Sequence, residues 1–283
     1  MVVIFILGMA SICSGVCDES QAEQNYQAAK ALMKGEPAQH DLERAYELMR
    51  AAAEQNHLQA KASLGYMLYT GRGIKANEHE GLRFLKDAAD EGSPTAAFNY
   101  AKIVMDQSEG KTDVALSYMK KAADLDMEKA QIALAEWYYF GDKGIPVDYK
   151  EALKYYERAA EKGNPLAENA IGGIYYEGLG VPSDQKKGAE YIQRAANKGM
   201  TRAQVHLADI LLIGDILPKN KIEALKWLFR ANVQGEVTAR VTLRNLLSGI
   251  TEVEISQALA ETGLDREAAL NTCDDKAPPQ PKY

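Results

Sequence analysis

Residues 167–199 read AENAIGGIYYEGLGVPSDQKKGAEYIQRAANKG, and their spacing decides the fold. The first half places Ala167, Gly172 and Tyr176 at helical intervals, and the second places Gly188, Tyr191, Ala195 and Ala196 likewise. Small and large side chains spaced by three and four lie on one face of a helix. Between them Gly178, Gly180 and Pro182 form a turn that ends on Asp184, a residue suited to capping a helix N-terminus. The stretch reads as helix, turn, helix.

The same pattern recurs on both sides. Ala52 with Ala53, Ala88 with Ala89, Ala122 with Ala123, Ala159 with Ala160, Ala195 with Ala196, and Ala231 with Asn232 follow one another at steps of 36, 34, 37, 36 and 36 residues. A fixed period of that length marks a stack of supersecondary units, because each unit buries its apolar face only against its neighbours. The first helix of each unit, helix A, carries Ala60, Ala96, Ala130, Ala167 and Ala203, with Gly65, Ala101, Ala135, Gly172 and Ala208 five later. Helix B carries Ala45, Gly81, Ala115, Ala152, Gly188 and Ala224, with Leu48, Phe84, Tyr118, Tyr155, Tyr191 and Trp227 three later as the expected large core residues. Gly92, Gly163, Gly199 and Gly235 end helix B, where the chain turns left-handed. Ser93 before Pro94 and Asn164 before Pro165 open the next helix A. Asp41, Asn77, Asp148, Asp184 and Asn220 are the expected caps of helix B, with Glu80, Glu151 and Glu223 at capping-box distance from three of them.

The order Ala167, Gly172, Tyr176, Gly178, Gly180, Val181, Pro182, Asp184, Ala195, Ala196, Gly199 resembles the Sel1-like repeat, a relative of the tetratricopeptide repeat with a longer turn between its helices. The resemblance covers residues 41–235. It implies an all-α solenoid, a right-handed superhelix of about six to seven antiparallel helix pairs. Its members act mainly as adaptors in protein complexes, including bacterial envelope regulators and the endoplasmic-reticulum degradation machinery. A cysteine-rich branch of the group binds or hydrolyses β-lactams through repeats stapled by paired cysteines, whereas residues 18–272 contain no cysteine.

The solenoid is expected over 18–250, followed by capping helices over 251–273 and a disordered, proline-containing tail over 274–283. In the third repeat, 94–127, the turn Asp106 to Asp113 lacks the Gly-x-Gly pair, and the sixth reads Gly214-Asp215-Ile216-Leu217-Pro218 with the second glycine lost. Helices are expected over 237–248, from Thr251 through Glu261, and from Asp265 to Thr272. Residues 1–16 read as a signal peptide, with the apolar run Val2 to Ile12 followed by Ser14 and Gly15, although a basic n-region is missing. The run is too short to span a membrane, and export to a bacterial envelope, periplasmic or secreted, is the expectation. Cys17 and Cys273 flank opposite ends of the stack, so the expected state of the thiols is unpaired or intermolecular.

A net charge of -7 and the lack of a long basic stretch argue against nucleic acid. His40, His57, His79 and His206 are scattered without metal-ligand spacing, and no Gly-x-Ser-x-Gly elbow follows a strand. The glycine pairs at 71 and 73 and at 178 and 180 join helices, unlike a nucleotide loop. No catalytic group, cofactor site or metal site is expected. The expected partner is another protein or a peptide segment held in the groove that helix A lines. The anchors expected for it are Tyr138 and Tyr175, one step off the core face and partly exposed, with Trp137 beside them; Tyr139 and Tyr176 belong to the core by the period. The function expected is therefore a non-enzymatic scaffold in the cell envelope, with a β-lactam-active protein and an endoplasmic-reticulum adaptor as alternatives.

Overall fold

A computed structural model describes residues 21–107, 110–141 and 144–271, and all of their regular structure is helical. The expected leader, the three cysteines and the tail lie outside the described residues. A first helix, α1, covers 21–32. It is followed by α2 (Gln39–Glu54), α3 (Leu58–Thr70), α4 (Glu78–Asp90), α5 (Pro94–Gln107), α6 (Thr112–Asp124), α7 (Glu128–Phe140) and α8 (Tyr149–Glu161). Then come α9 (Pro165–Glu177), α10 (Gln185–Asn197), α11 (Thr201–Ile213), α12 (Lys221–Val233), α13 (Val237–Leu246), α14 (Glu252–Thr262) and α15 (Arg266–Leu270). Odd-numbered helices from α3 to α13 are helix A, and even-numbered ones from α2 to α12 are helix B.

The residues fall into two compact units. One runs to Leu134 and includes Gly141–Pro146; the other takes Ala135–Phe140 and everything from Val147. In the first, α2 to α6 pack in sequence; in the second, α8 to α12 do so, and α12 also receives α13, α14 and α15.

Every alanine of the repeating pairs is buried. Beside them the core is filled by Met49, Leu85, Met119, Tyr156, Ile192 and Leu228, each one residue after the expected large position. Ala45, Met49, Ala52 and Ala53 show why: intervals of four, three and one centre the buried stripe, and the residue at +3 falls on its edge. Leu48, Phe84, Tyr118 and Tyr191 are accordingly half-buried, while Tyr155 and Trp227 are buried.

The small residues set how closely the helices of a pair approach. A Cβ added at Gly81 would stand 2.5 Å from the Tyr69 nitrogen and 2.7 Å from the Gly65 oxygen. One at Gly188 would stand 2.8 Å from both the Gly172 oxygen and the Tyr176 nitrogen. These two glycine couples are direct backbone contacts between helix A and helix B. The second glycine of the Gly-x-Gly turn meets the preceding helix B instead, since a Cβ at Gly73 would strike the Leu42 oxygen at 2.4 Å and one at Gly180 the Tyr149 Cβ at 2.8 Å.

Asn77, Asp148, Asp184 and Asn220 cap helix B as expected, accepting from the backbone N–H groups of Glu80, Lys150 with Glu151, Lys187 and Glu223. The reciprocal capping-box bond is not made at Glu80, Glu151 or Glu223. The cap's own N–H is already engaged: Asn77 donates to Leu68 O, Asp148 to Tyr138 O, Asp184 to Tyr175 O and Asn220 to Leu211 O, at 2.8 to 3.0 Å. One residue thus starts helix B and ties it to the end of helix A. Asp41 lies inside the first turn of α2, not before it, and its carboxylate accepts from the Ala38 N–H. At Asn56 and Asp126, non-glycine residues hold the left-handed angle that Gly92, Gly163, Gly199 and Gly235 hold elsewhere.

At the C-terminal end, Thr251 and Glu254 form a full capping box on α14, and Asp265 caps α15. Ile255, Ala258, Leu259 and Ala269 enter the same core cluster as Leu225, Leu228 and Phe229. Asn232, 4% exposed, donates to the carbonyls of Ala269 and Asn271. The place where the alanine pair fails is the place that holds α15.

Candidate partner-binding surface

The aromatic residues of the second unit fall into two repeating sets. Tyr138 stacks on Tyr155 with ring centroids 6.3 Å apart and planes 8° from parallel, and Tyr175 stacks on Tyr191 one repeat later at 6.3 Å and 14°. Both pairs join the end of a helix A to helix B. Cations cover them: Lys154 lies 5.1 Å from the Tyr155 ring centre, Lys187 3.8 Å from Tyr175 and Arg194 4.4 Å from Tyr191. Such contacts hold the rings and shield their faces. Donation from the Lys187 ammonium to the Tyr175 hydroxyl oxygen holds the lysine above its ordinary pKa.

This corrects the expected exposure of Tyr138, which is 7% exposed. The Asp148 tie to its carbonyl draws α8 against it, and Tyr155 covers the ring. Tyr175 and Trp137 are half-buried. Tyr139 and Tyr176, assigned to the core by the period, are half-buried too. Periodicity fixes which backbone positions face helix B, but a tyrosine at such a position is long enough to reach past the contact and stay half-buried. Tyr139 touches Phe140, Tyr149 and Tyr156 edge-on, with centroids 4.9, 5.4 and 6.4 Å away.

The second set lies on the helix A face. A cleft of about 200 Å³ is lined by Gly173, Tyr176 and Glu177 of α9, Ile192 of α10, and His206, Asp209, Ile210 and Ile213 of α11. Apart from the backbone of its own helix and its chain neighbours, no atom stands within 4 Å of where a Cβ on Gly173 would be, so this position is open. His206 Nδ1 lies 3.1 Å from Asn169 Oδ1, joining α11 to α9. Phe140 is 70% exposed and Ile213 61%. Phe140, Glu177 and Ile213 hold one place in three successive repeats, as do Glu136, Gly173 and Asp209. The period is the signal that locates these positions, because it marks outward-facing places as regularly as buried ones.

Burial pushes the carboxyls of Glu136 and Asp209 above the usual range, with His206 opposing the effect at Asp209. Tyr139, Tyr156 and Tyr176 are raised first by burial and then by acids: Glu177 beside Tyr139, Glu136 beside Tyr156, and Asp215 and Asp209 beside Tyr176.

The histidines are used locally. His57 Nδ1 accepts from the Ala60 N–H, capping α3, while its Nε2 lies 2.8 Å from Glu23 Oε2. Among the described residues no group of three or more His, Cys, Asp or Glu converges as a metal site, and no helix is long and apolar enough to cross a membrane.

One family matches the chain six times in succession, at 22–57, 58–93, 94–127, 128–164, 165–200 and 201–235; its description is Sel1 repeat. Curated relatives include chitin synthase regulatory factor 4 of Schizosaccharomyces pombe, 28% identical over 161 residues that make up 50% of this chain and 25% of the relative. Another is the chitin synthase regulator SKT5 of Saccharomyces cerevisiae, 28% identical over 159 residues, with 51% and 22% covered. The chain thus spans about a quarter of the length of these relatives. Among solved structures, c5321, a protective antigen of uropathogenic Escherichia coli with an SLR fold, superposes with a TM-score of 0.68 at 26% identity, over 84% of this chain and 52% of that one. A Sel1 repeat protein from Oxalobacter formigenes gives 0.66 at 25% identity, over 88% and 95%.

Proposed function

Because this chain belongs to the Sel1 repeat family, we propose that it is a non-enzymatic scaffold that binds another protein along the helix A face of its second unit. The observation that carries this reading is the face itself. Phe140 and Ile213 expose large apolar side chains at one repeat position, two repeats apart, and Ile213 lines an open cleft. Large apolar side chains exposed at a repeating position, one of them at a cleft, favour contact with a partner. The relatives named as regulators are consistent with a protein-binding role. The apolar run Val2 to Ile12 supports export, so the compartment proposed is the cell envelope or the exterior.

The test is affinity capture with the full chain from an envelope extract, beside a variant carrying Phe140→Ser and Ile213→Ser. The expected result is one protein retained by the parent and lost by the variant, with unchanged circular dichroism. Retention by both moves the contact elsewhere. If Trp137→Ala with Tyr175→Ala alone releases the partner, the tyrosine edge is the contact. Failure to capture any protein under several salt conditions, or turnover of a chromogenic β-lactam by the clean chain, would sink the scaffold reading.

A further inference from the structure

The partner's chemistry is written into the same face. Around the cleft stand Asp209 and Glu177, with Asp215 near Tyr176 and Glu136 on α7 near Tyr156. None of these four carboxylates has a lysine or arginine partner among the described residues, in a unit where other acids are paired. Glu168, for comparison, is buried with Arg194 Nη2 2.7 Å from one oxygen, and Lys198 Nζ 2.8 Å from the other as an ion pair without an aligned hydrogen bond. Glu136 and Asp209 are half-buried, whereas Glu177 and Asp215 are exposed; a partly desolvated carboxylate without a counter-charge is unfavourable, and a cation brought by a ligand relieves it. Two half-buried tyrosines, Tyr139 and Tyr176, lie in the field of these acids, and the buried Tyr156 packs edge-on against Tyr139. Tyrosine faces and carboxylates together are the surroundings that lysine and arginine side chains favour.

We infer that the cleft between α9 and α11, with the acid-and-tyrosine face continuing onto the end of α7, takes lysine or arginine side chains from an extended segment of the partner protein. The inference rests on the scaffold reading and specifies its ligand. The cleft's 200 Å³ falls short of the ~300–1,000 Å³ of drug-sized pockets and suits one long side chain. Ile192, Ile210 and Ile213 offer an apolar path for the aliphatic stem, and Asp209 and Glu177 receive the charged head. The row of acids continues beyond this cleft to Glu136, so a segment with more than one basic residue fits better than a single free amine. An acidic segment meets like charge at every step.

The test uses fluorescence anisotropy of labelled twelve-residue peptides at ~0.15 M salt, an ionic strength that screens exposed charges beyond ~8 Å. One peptide carries arginine at every third position between alanine and leucine, one carries citrulline in place of arginine, and one glutamate. The expected order is arginine first, with citrulline at least tenfold weaker and glutamate not bound. Asp209→Asn with Glu136→Gln should weaken the arginine peptide at least tenfold, while Glu190→Gln, an exposed acid on α10, leaves it unchanged. Removing desolvated charges does not threaten the fold, so lost binding is not lost structure. Equal weakening by Glu190→Gln reduces the effect to net charge and overturns the inference. Citrulline binding as tightly as arginine, or no peptide binding at all, overturns it as well; the capture experiment still decides the scaffold reading separately.

Discussion

A glycine inside a helix costs roughly 1 kcal/mol against alanine, and Gly188 accepts that cost because the backbone of α9 occupies the space a Cβ would need. Gly173, on the same helix α9, lines the cleft, and no neighbouring element reaches the place its Cβ would take. Gly188→Ala should therefore destabilise by about 1 to 3 kcal/mol through overpacking, while Gly173→Ala should stabilise by about 0.5 to 1 kcal/mol through helix propensity. Urea unfolding of the two variants measures both, and equal shifts would mean that the α9–α10 contact is not backbone-limited. Glu136 yields a pH prediction. Its folded pKa is raised by burial, so the folded state holds the proton more tightly and stability falls as pH rises through that window. Glu136→Gln should be more stable than the parent at pH 7, and the gain should vanish in acid below the unfolded carboxylate pKa of ~4.3. The small residues were legible from the period because a backbone contact tolerates nothing else. The exposure of Tyr138 was not, since it depends on Tyr155 across the turn and on a backbone bond that no side-chain pattern records.

At the scale of the element, helix B begins with two bonds from one residue. Asp184 accepts at its side chain from Lys187 N and donates its own N–H to Tyr175 O. Asp184→Ala removes the first and keeps the second, so it should cost about 1 kcal/mol and leave the turn closed. Hydrogen exchange should show faster exchange in the first turn of α10 with protection at 184 retained. If the amide at 184 loses protection too, the side chain rather than the backbone closes the turn. The caps were legible because the side-chain oxygen of Asp or Asn at a helix start accepts from backbone N–H groups that have no acceptor within the helix. The missing capping-box bonds were not, because sequence shows a glutamate at the right distance but not that the N–H it would accept is already taken. The core position is displaced by one residue from the largest side chain for a similar reason: burial follows the centre of the stripe, not side-chain size.

Repeat arrays derive their stability from each unit and its contacts with the next, so a change at one end should stay local. Asn232→Ala removes two donations to the carbonyls of Ala269 and Asn271 and leaves them in a buried setting. The expected loss is about 1 to 3 kcal/mol, confined in hydrogen exchange to α12, α14 and α15, with α2 to α6 unaffected. Uniform loss across the chain would instead show that the whole array unfolds as one. Sequence marked this position only as an irregularity in the alanine series. The same irregularity limits how such a gene can grow. Duplicating the segment 165–200 would add a module and leave the amide of Asn232 against α15 as before. Duplicating 201–235 would place a second such amide inside the array, facing a copy that offers it no free carbonyl. Growth by tandem duplication is thereby easier in the middle of the coding sequence than at its end.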